Sequence, residues 1–100
     1  MSLPVITTPE ADAQIRAIDA WWRTNRPAAQ DLFAEELANC LVLLEQAPAI
    51  GKPYRRHPSV SGLRRVLLRA TRYHLYYVPR ADMVVVLAVW HSRRCELPPL

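Results

Sequence analysis

His91 closes a run of apolar residues and is followed almost at once by Arg93 and Arg94. An imidazole titrates near neutrality, so at this position it could act as a general acid or base beside fixed positive charge. The plainer reading is a strand-end histidine that hydrogen-bonds a partner or a nearby carbonyl. Arg64, Arg65, Arg69 and Arg72 form a basic strip, with no acid between Lys52 and His74. Guanidinium groups suit bidentate contacts to phosphate or carboxylate. The strip could therefore cradle phosphates, dock an acidic peptide or face solvent. Alternation along the strand puts Leu63, Arg65, Leu67 and Arg69 on one side and Arg64 on the other, so the arginines cannot all serve one ligand. Tyr73, Tyr76 and Tyr77 could stack on bases, but tyrosines in a central strand more often pack the sheet. His57, His74 and His91 are spaced by seventeen residues and fall in a loop and two strands. No carboxylates stand ready to support them, so neither a metal nor another cofactor is expected.

The elements that must position these side chains are legible from periodicity. Leu3–Thr8 reads as a short first strand, with Pro4 suited to an edge. Thr8-Pro9 reads as a helix cap followed by proline at the first helical position. Ala11, Ile15, Ile18 and Trp22 then make one apolar face, with Asp12, Arg16, Asp19 and Arg23 opposite. Trp21 falls off that face and is expected at the flank, partly exposed, as an anchor for a partner. Asn25-Arg26-Pro27 breaks the helix, and Pro27 can open a second one running from Ala28 to Ala47 on the stripe Phe33, Leu37, Cys40, Leu41 and Leu44. The short connection favours an antiparallel hairpin. Residues 48–62 hold Gly51, Pro53, Pro58 and Gly62 and read as a loop. Three strand-like runs follow: Leu63–Ala70, Tyr73–Val78 and Met83–His91, joined by short turns that imply an antiparallel meander. A tail covers 92–100.

The expected fold is thus α+β, a single domain in the order β-α-α-β-β-β. It has a helical hairpin (about 9–47), a loop (48–62) and a meander (about 63–91) on a mainly antiparallel sheet, with the first strand joining as an edge beside the last. Both alternating faces of the last strand are apolar, which marks it as central. One hairpin covers one face of a sheet. The other face is expected to be left bare, and exposed apolar area of that kind marks a binding site.

Composition narrows the class. The chain has 100 residues, 51% hydrophobic and 22% charged, with net charge +4. Residues 1–47 carry seven acids against three bases, and residues 48–100 carry ten bases against two acids. The longest apolar run, Met83–Trp90, is far short of a membrane span of about 20 residues. No signal-peptide pattern opens the chain, so a cytoplasmic location is expected. Two cysteines are too few for a disulfide framework; Cys40 reads as a core residue and Cys95 as a free thiol in the tail.

Together these residues resemble the RelE/ParE superfamily of bacterial toxins, the toxin halves of type II toxin–antitoxin pairs. The likeness runs from about Ile6 to Arg94. It is carried by the element order, Leu44-Glu45-Gln46-Ala47-Pro48, Gly51-Lys52-Pro53-Tyr54, Leu63-Arg64-Arg65-Val66-Leu67-Leu68, Tyr73-His74-Leu75-Tyr76-Tyr77 and Val89-Trp90-His91-Ser92-Arg93-Arg94. The resemblance implies a cognate antitoxin whose C-terminal segment wraps the toxin, and two toxin–antitoxin pairs often assemble into a heterotetramer through the antitoxin. RelE-like members cut messenger RNA on the ribosome, for which His91 and His74 would move protons while Arg65, Arg69 and Arg72 hold the phosphate. ParE-like members poison DNA gyrase, with no hydrolytic chemistry assigned. Here no tyrosine follows the last strand, and Lys52 is the only lysine. Both departures place the chain nearer the ParE-like branch, with no catalytic residue assigned. Antitoxin contacts are expected from Trp21, Leu63, Arg65, Leu67, Arg69, Trp90 and His91. A RelE-like nuclease using His91, Arg65 and Arg69, or an inactive relative that only binds its antitoxin, are the alternatives.

Overall fold

The structure is a computed structural model that describes residues 2–57, 59–94 and 98–100; Cys95 lies outside them. Helices α1 (Pro9–Asn25) and α2 (Leu32–Gln46) pack on one face of a sheet. Its strands are β1 (Val5–Thr7), β2 (Lys52–Pro53), β3 (Arg64–Leu68), β4 (Tyr73–Pro79) and β5 (Val84–His91), in the spatial order β1-β5-β4-β3-β2. All pairings are antiparallel except β1 with β5, which is parallel. This is the expected α+β architecture, with β1 at the edge beside β5.

Helix α1 starts as its sequence dictates. The Thr8 hydroxyl accepts from Ala11 N–H at 3.1 Å, and Pro9 fills a first-turn position whose N–H would have had no partner. Ala11, Ile15, Ile18 and Trp22 face the sheet, as do Phe33, Leu37, Cys40, Leu41 and Leu44 of α2. The helix–helix connection differs from the expectation. Pro27 opens not α2 but a 3₁₀ turn, Pro27–Ala29, and α2 begins only after Asp31. A proline fixes φ for any helical first turn, so it cannot tell the tighter helix from the wider one.

Strand β5 departs from simple alternation. Tyr76 pairs with Ala88 and Tyr77 with Val86, so Leu87 is an extra residue, a β-bulge. The bulge switches the strand's faces. Val84, Val86 and Val89 lie in the core under the helices, and His91 joins them against Tyr73. Ala88, Leu87 and Trp90 pack on the far face, with Trp90 also reaching a groove beside α1. In a run that is apolar at every position, nothing in the sequence marks the slip.

The expectation of a bare second face is corrected by the loop. Residues 54–57 and 59–63 lie against the second face of the sheet, so that Tyr54, Leu63, Tyr76, Val78 and Ala88 form a second buried cluster, with Val60 and Leu100 packed against it. Leu63, expected to meet a partner, is only 2% exposed and has no surface to offer one. The loop is pinned at its start. Gly51 N–H donates to the buried Tyr77 Oη at 2.8 Å, and the Arg64 guanidinium donates to Gly51 O at 2.6 Å.

A second pin ties α2 to the β3–β4 turn. The Glu36 carboxylate accepts from Ala70 N–H at 2.7 Å, from Thr71 N–H at 3.0 Å and from the Thr71 hydroxyl at 2.6 Å. β3 stops at Leu68, whose carbonyl accepts from Arg72 N–H at 2.7 Å and closes the turn into Tyr73. Hydrogen bonds to a charged group are worth about 1.5–3 kcal/mol. Glu36→Ala is therefore expected to cost about 2 kcal/mol, a fall in Tm of roughly 10 °C by calorimetry. Glu36→Gln, which keeps an acceptor oxygen, is expected to lose less.

Candidate functional site

β1 pairs with only the first three residues of β5 before the chain turns into α1. Past Val86 the outer edge of β5 therefore has no strand beside it. The Gln14 side chain takes one of its donors, accepting from Val89 N–H at 2.8 Å. Between this open edge and α1 lies a groove of about 560 Å³. Its floor and walls are Ala17, Ile18, Trp21, Trp22, Tyr73, Val89 and Trp90; its rim is Gln14, Thr71, Arg26, His91 and Arg94. Among the described residues no Asp or Glu lines it.

Two tryptophans adjacent in sequence play different parts. Trp22 packs against the core and points its Nε1 at Tyr73 Oη, 3.4 Å away. Trp21 is 46% exposed, set edge-on to Trp22 with ring centroids 5.7 Å apart, and the Arg26 guanidinium lies 5.4 Å over its ring. At the other wall the Arg94 guanidinium sits 4.2 Å over the Trp90 ring. The groove is thus apolar in its depth and positive at its mouth.

His91 lines the groove with its ring 5.0 Å from that of Tyr73, and its Nδ1 accepts from Arg93 N–H at 3.1 Å. Its pKa is lowered, chiefly by burial and further by Arg93, Arg94 and Arg72. His74, on the opposite face of the sheet, is lowered chiefly by burial and then by Arg65 and Arg72. A folded-state value below the unfolded one means that the unfolded chain takes up these protons first on acidification. The stability tied to the neutral rings is complete above the unfolded value of about 6.5 and is lost as pH falls below it. Tm is expected to drop between about pH 7.5 and pH 5.5, and to drop less in the His74→Gln/His91→Gln double variant. An identical drop in both proteins would contradict this assignment.

The structure divides the residues singled out in the sequence. Trp21, Trp90 and His91 line one groove. Arg65 stands on the far face, over the Tyr54 ring at 4.6 Å and 3.4 Å from Tyr76 Oη. Arg65 pairs with Tyr76, whereas Leu68 and His91 both pair with Tyr73, so Arg65 and His91 are three rows apart and on opposite faces. Leu67 is half-buried on the far face and Arg69 is exposed beyond the end of β3. The set His91, Arg65 and Arg69 is not assembled around any one point. Sequence reasoning missed Gln14, Ile18, Arg26 and Tyr73 as groove residues. The sequence reads Tyr73 as a tyrosine that packs the sheet, and the spacing of Gln14, Ile18 and Trp21 on α1 is the signal that could have found the wall.

Cys40 is buried, and burial first, then Glu36, pushes its thiol up to about 11. It is a protonated core residue and no nucleophile. Among the described residues no three His, Cys, Asp or Glu side chains gather as a metal would require, and no helix is long and apolar enough to cross a membrane.

Comparison with known proteins accords with this geometry. No curated protein sequence matches the chain. Among solved structures it is similar to a chain of the chromosomal ParDE TA system from P. aeruginosa, at TM-score 0.76 and 16% identity over 92% of this chain and 98% of that one. It is also similar to the YoeB dimer from Staphylococcus aureus, at TM-score 0.59 and 14% identity over 91% and 98%. At such identities the likeness is one of fold. The sequence itself matches, over residues 5–95, the family model described as ParE toxin of type II toxin-antitoxin system, parDE. With nearly its whole length matched and the fold shared, the chain belongs to the ParE toxin family.

Proposed function

We propose that this ParE-family protein acts on DNA gyrase by binding it, without catalysis, and that a cognate antitoxin silences it by laying an apolar segment flanked by acids into the groove between α1 and β5. The groove carries the reading. It combines an exposed tryptophan, a strand edge that β1 leaves uncovered past Val86, and the guanidinium of Arg26 over the Trp21 ring. Aromatic anchors of this kind dominate protein interfaces, and guanidinium rims select acidic partners. The absence of catalysis is supported by the separation of His91 from Arg65 across the sheet. RNA cleavage would need a proton-transfer group and phosphate donors converging on one phosphodiester.

The experiment is a supercoiling assay. Gyrase given relaxed plasmid and ATP is expected to stop supercoiling when the purified protein is added and to resume when antitoxin is added in excess. Undiminished supercoiling, together with cleavage of ribosome-bound message by the same preparation, would overturn the proposal in favour of a nuclease.

A further inference from the structure

The acids and bases of this chain are sorted by layer. Between Glu45 and Asp82 there is no Asp or Glu at all. On the helical side Arg23 pairs with Asp19 and Asp31. On the far side of the sheet, Lys52 stands directly across from Arg65 in the β2–β3 pair. Like charges so placed repel one another and weaken the pairing. The loop that lies over this face adds exposed Arg55 and Arg56. Beside them, Arg55, His57, Ser61 and Arg64 ring a cavity of about 590 Å³, in which the buried Nδ1 of His57 has no hydrogen-bond partner.

What would relieve this concentration of charge is decided by what the surface lacks. A peptide needs an apolar anchor as well as charge, but at the end of the face that carries Lys52, Arg55, Arg56 and Arg65, Leu63 is sealed and Tyr54 and Tyr76 are 9% and 3% exposed. A single strand of RNA or DNA needs open aromatic faces on which to stack. Here Arg65 lies over the Tyr54 ring, and that ring in turn stands edge-on to Tyr76. The phosphate backbone of a duplex needs neither, only cations spaced along a surface. We infer that the far face of the sheet, at Lys52, Arg55, Arg56 and Arg65, binds the phosphate backbone of double-stranded DNA without regard to sequence. The surface is separate from the α1–β5 groove and needs neither gyrase nor antitoxin to act.

The test is fluorescence anisotropy of a labelled duplex of about 20 base pairs titrated with the protein alone at several salt concentrations. Binding in the micromolar range at low salt is expected, with log K falling linearly against log salt. In Lys52→Gln/Arg55→Gln/Arg56→Gln the slope is expected to shrink by about 3 and the affinity at about 50 mM salt to fall at least tenfold. The variant's Tm and antitoxin affinity are expected to stay unchanged. No duplex binding at low salt, an unaltered slope in the variant, or tighter binding of a single-stranded oligonucleotide or of polyglutamate would each overturn the inference. Because gyrase is absent from the assay, its outcome is independent of the supercoiling result.

Discussion

Replacing Trp21 by alanine is expected to weaken antitoxin binding about 100-fold, near 3 kcal/mol, while leaving the fold intact. The reasoning rests on where the ring's surface lies. Nearly half of Trp21 is exposed, so its loss removes little from the core. What remains in contact is the edge of Trp22 and the Arg26 guanidinium, both at the groove. A partner that covers the ring would bury its whole exposed area in one step, which is how aromatic anchors come to dominate an interface. Trp22→Ala would give the opposite pattern. That ring packs on the core and reaches Tyr73, so its removal lowers Tm before it reports on any partner. Val42 on α2 is more exposed than Trp21 yet lies outside the groove, and Val42→Ala should change affinity less than about threefold. Isothermal titration of the three variants against the antitoxin, with melting curves alongside, separates anchoring from folding. Equal affinities for the parent and Trp21→Ala would remove the groove from the account.

Gly51→Ala is expected to destabilise the protein by about 3 kcal/mol, the largest effect of any single methyl group in the chain. A Cβ at this position would sit 2.6 Å from Tyr77 Oη, 2.8 Å from Tyr77 Cε1 and 2.9 Å from Arg65 O. Tyr77 is fully buried and Arg65 O is backbone, so neither can yield cheaply. The segment at Gly51 must move instead, losing the Gly51 N–H bond to Tyr77 Oη and the Arg64 bond to Gly51 O. The loop that seals the second face starts three residues later, so that cover should loosen as well. Tyr77→Phe alone leaves a buried N–H unpaired at a cost of about 1–2 kcal/mol. Since removing Oη also removes the closest clash, the double variant should cost less than the sum of the singles. A Tm for Gly51→Ala within about 2 °C of the parent would contradict the described packing.

How far the sequence could be read follows from which interactions are local. The stripes Ala11–Trp22 and Phe33–Leu44 have helical period and the runs of β3 to β5 have strand length, and each became the element its pattern implies. Thr8-Pro9 announced α1 because a cap is a contact within four residues. The features that escaped depend on contacts distant in sequence. Residues 48–62, dense in proline and glycine, read as an ordinary loop, but Gly51 meets Tyr77 twenty-six positions on, and Tyr54 and Val60 cap a second core. Nothing local marks Glu36, because the turn it holds, at Thr71, is thirty-five residues away. The bulge at Leu87 inverted the faces of β5, so His91 joined the groove beside Tyr73. The site was legible as residue types: Trp21, Trp90 and His91 were singled out and do share a groove. Arg65 and Leu63 were grouped with them by charge and alternation, and the sheet sets both on the far face.

The claim on which the functional account turns is that the protein disables its target by occupying it. Stoichiometry tests this most directly. With a fixed concentration of gyrase and rising amounts of the protein, inhibition of supercoiling is predicted to saturate near one molecule per gyrase subunit, with an unchanged curve for His91→Ala. Loss of activity at amounts far below gyrase, abolished in His91→Ala while antitoxin binding persists, would show turnover and contradict the account.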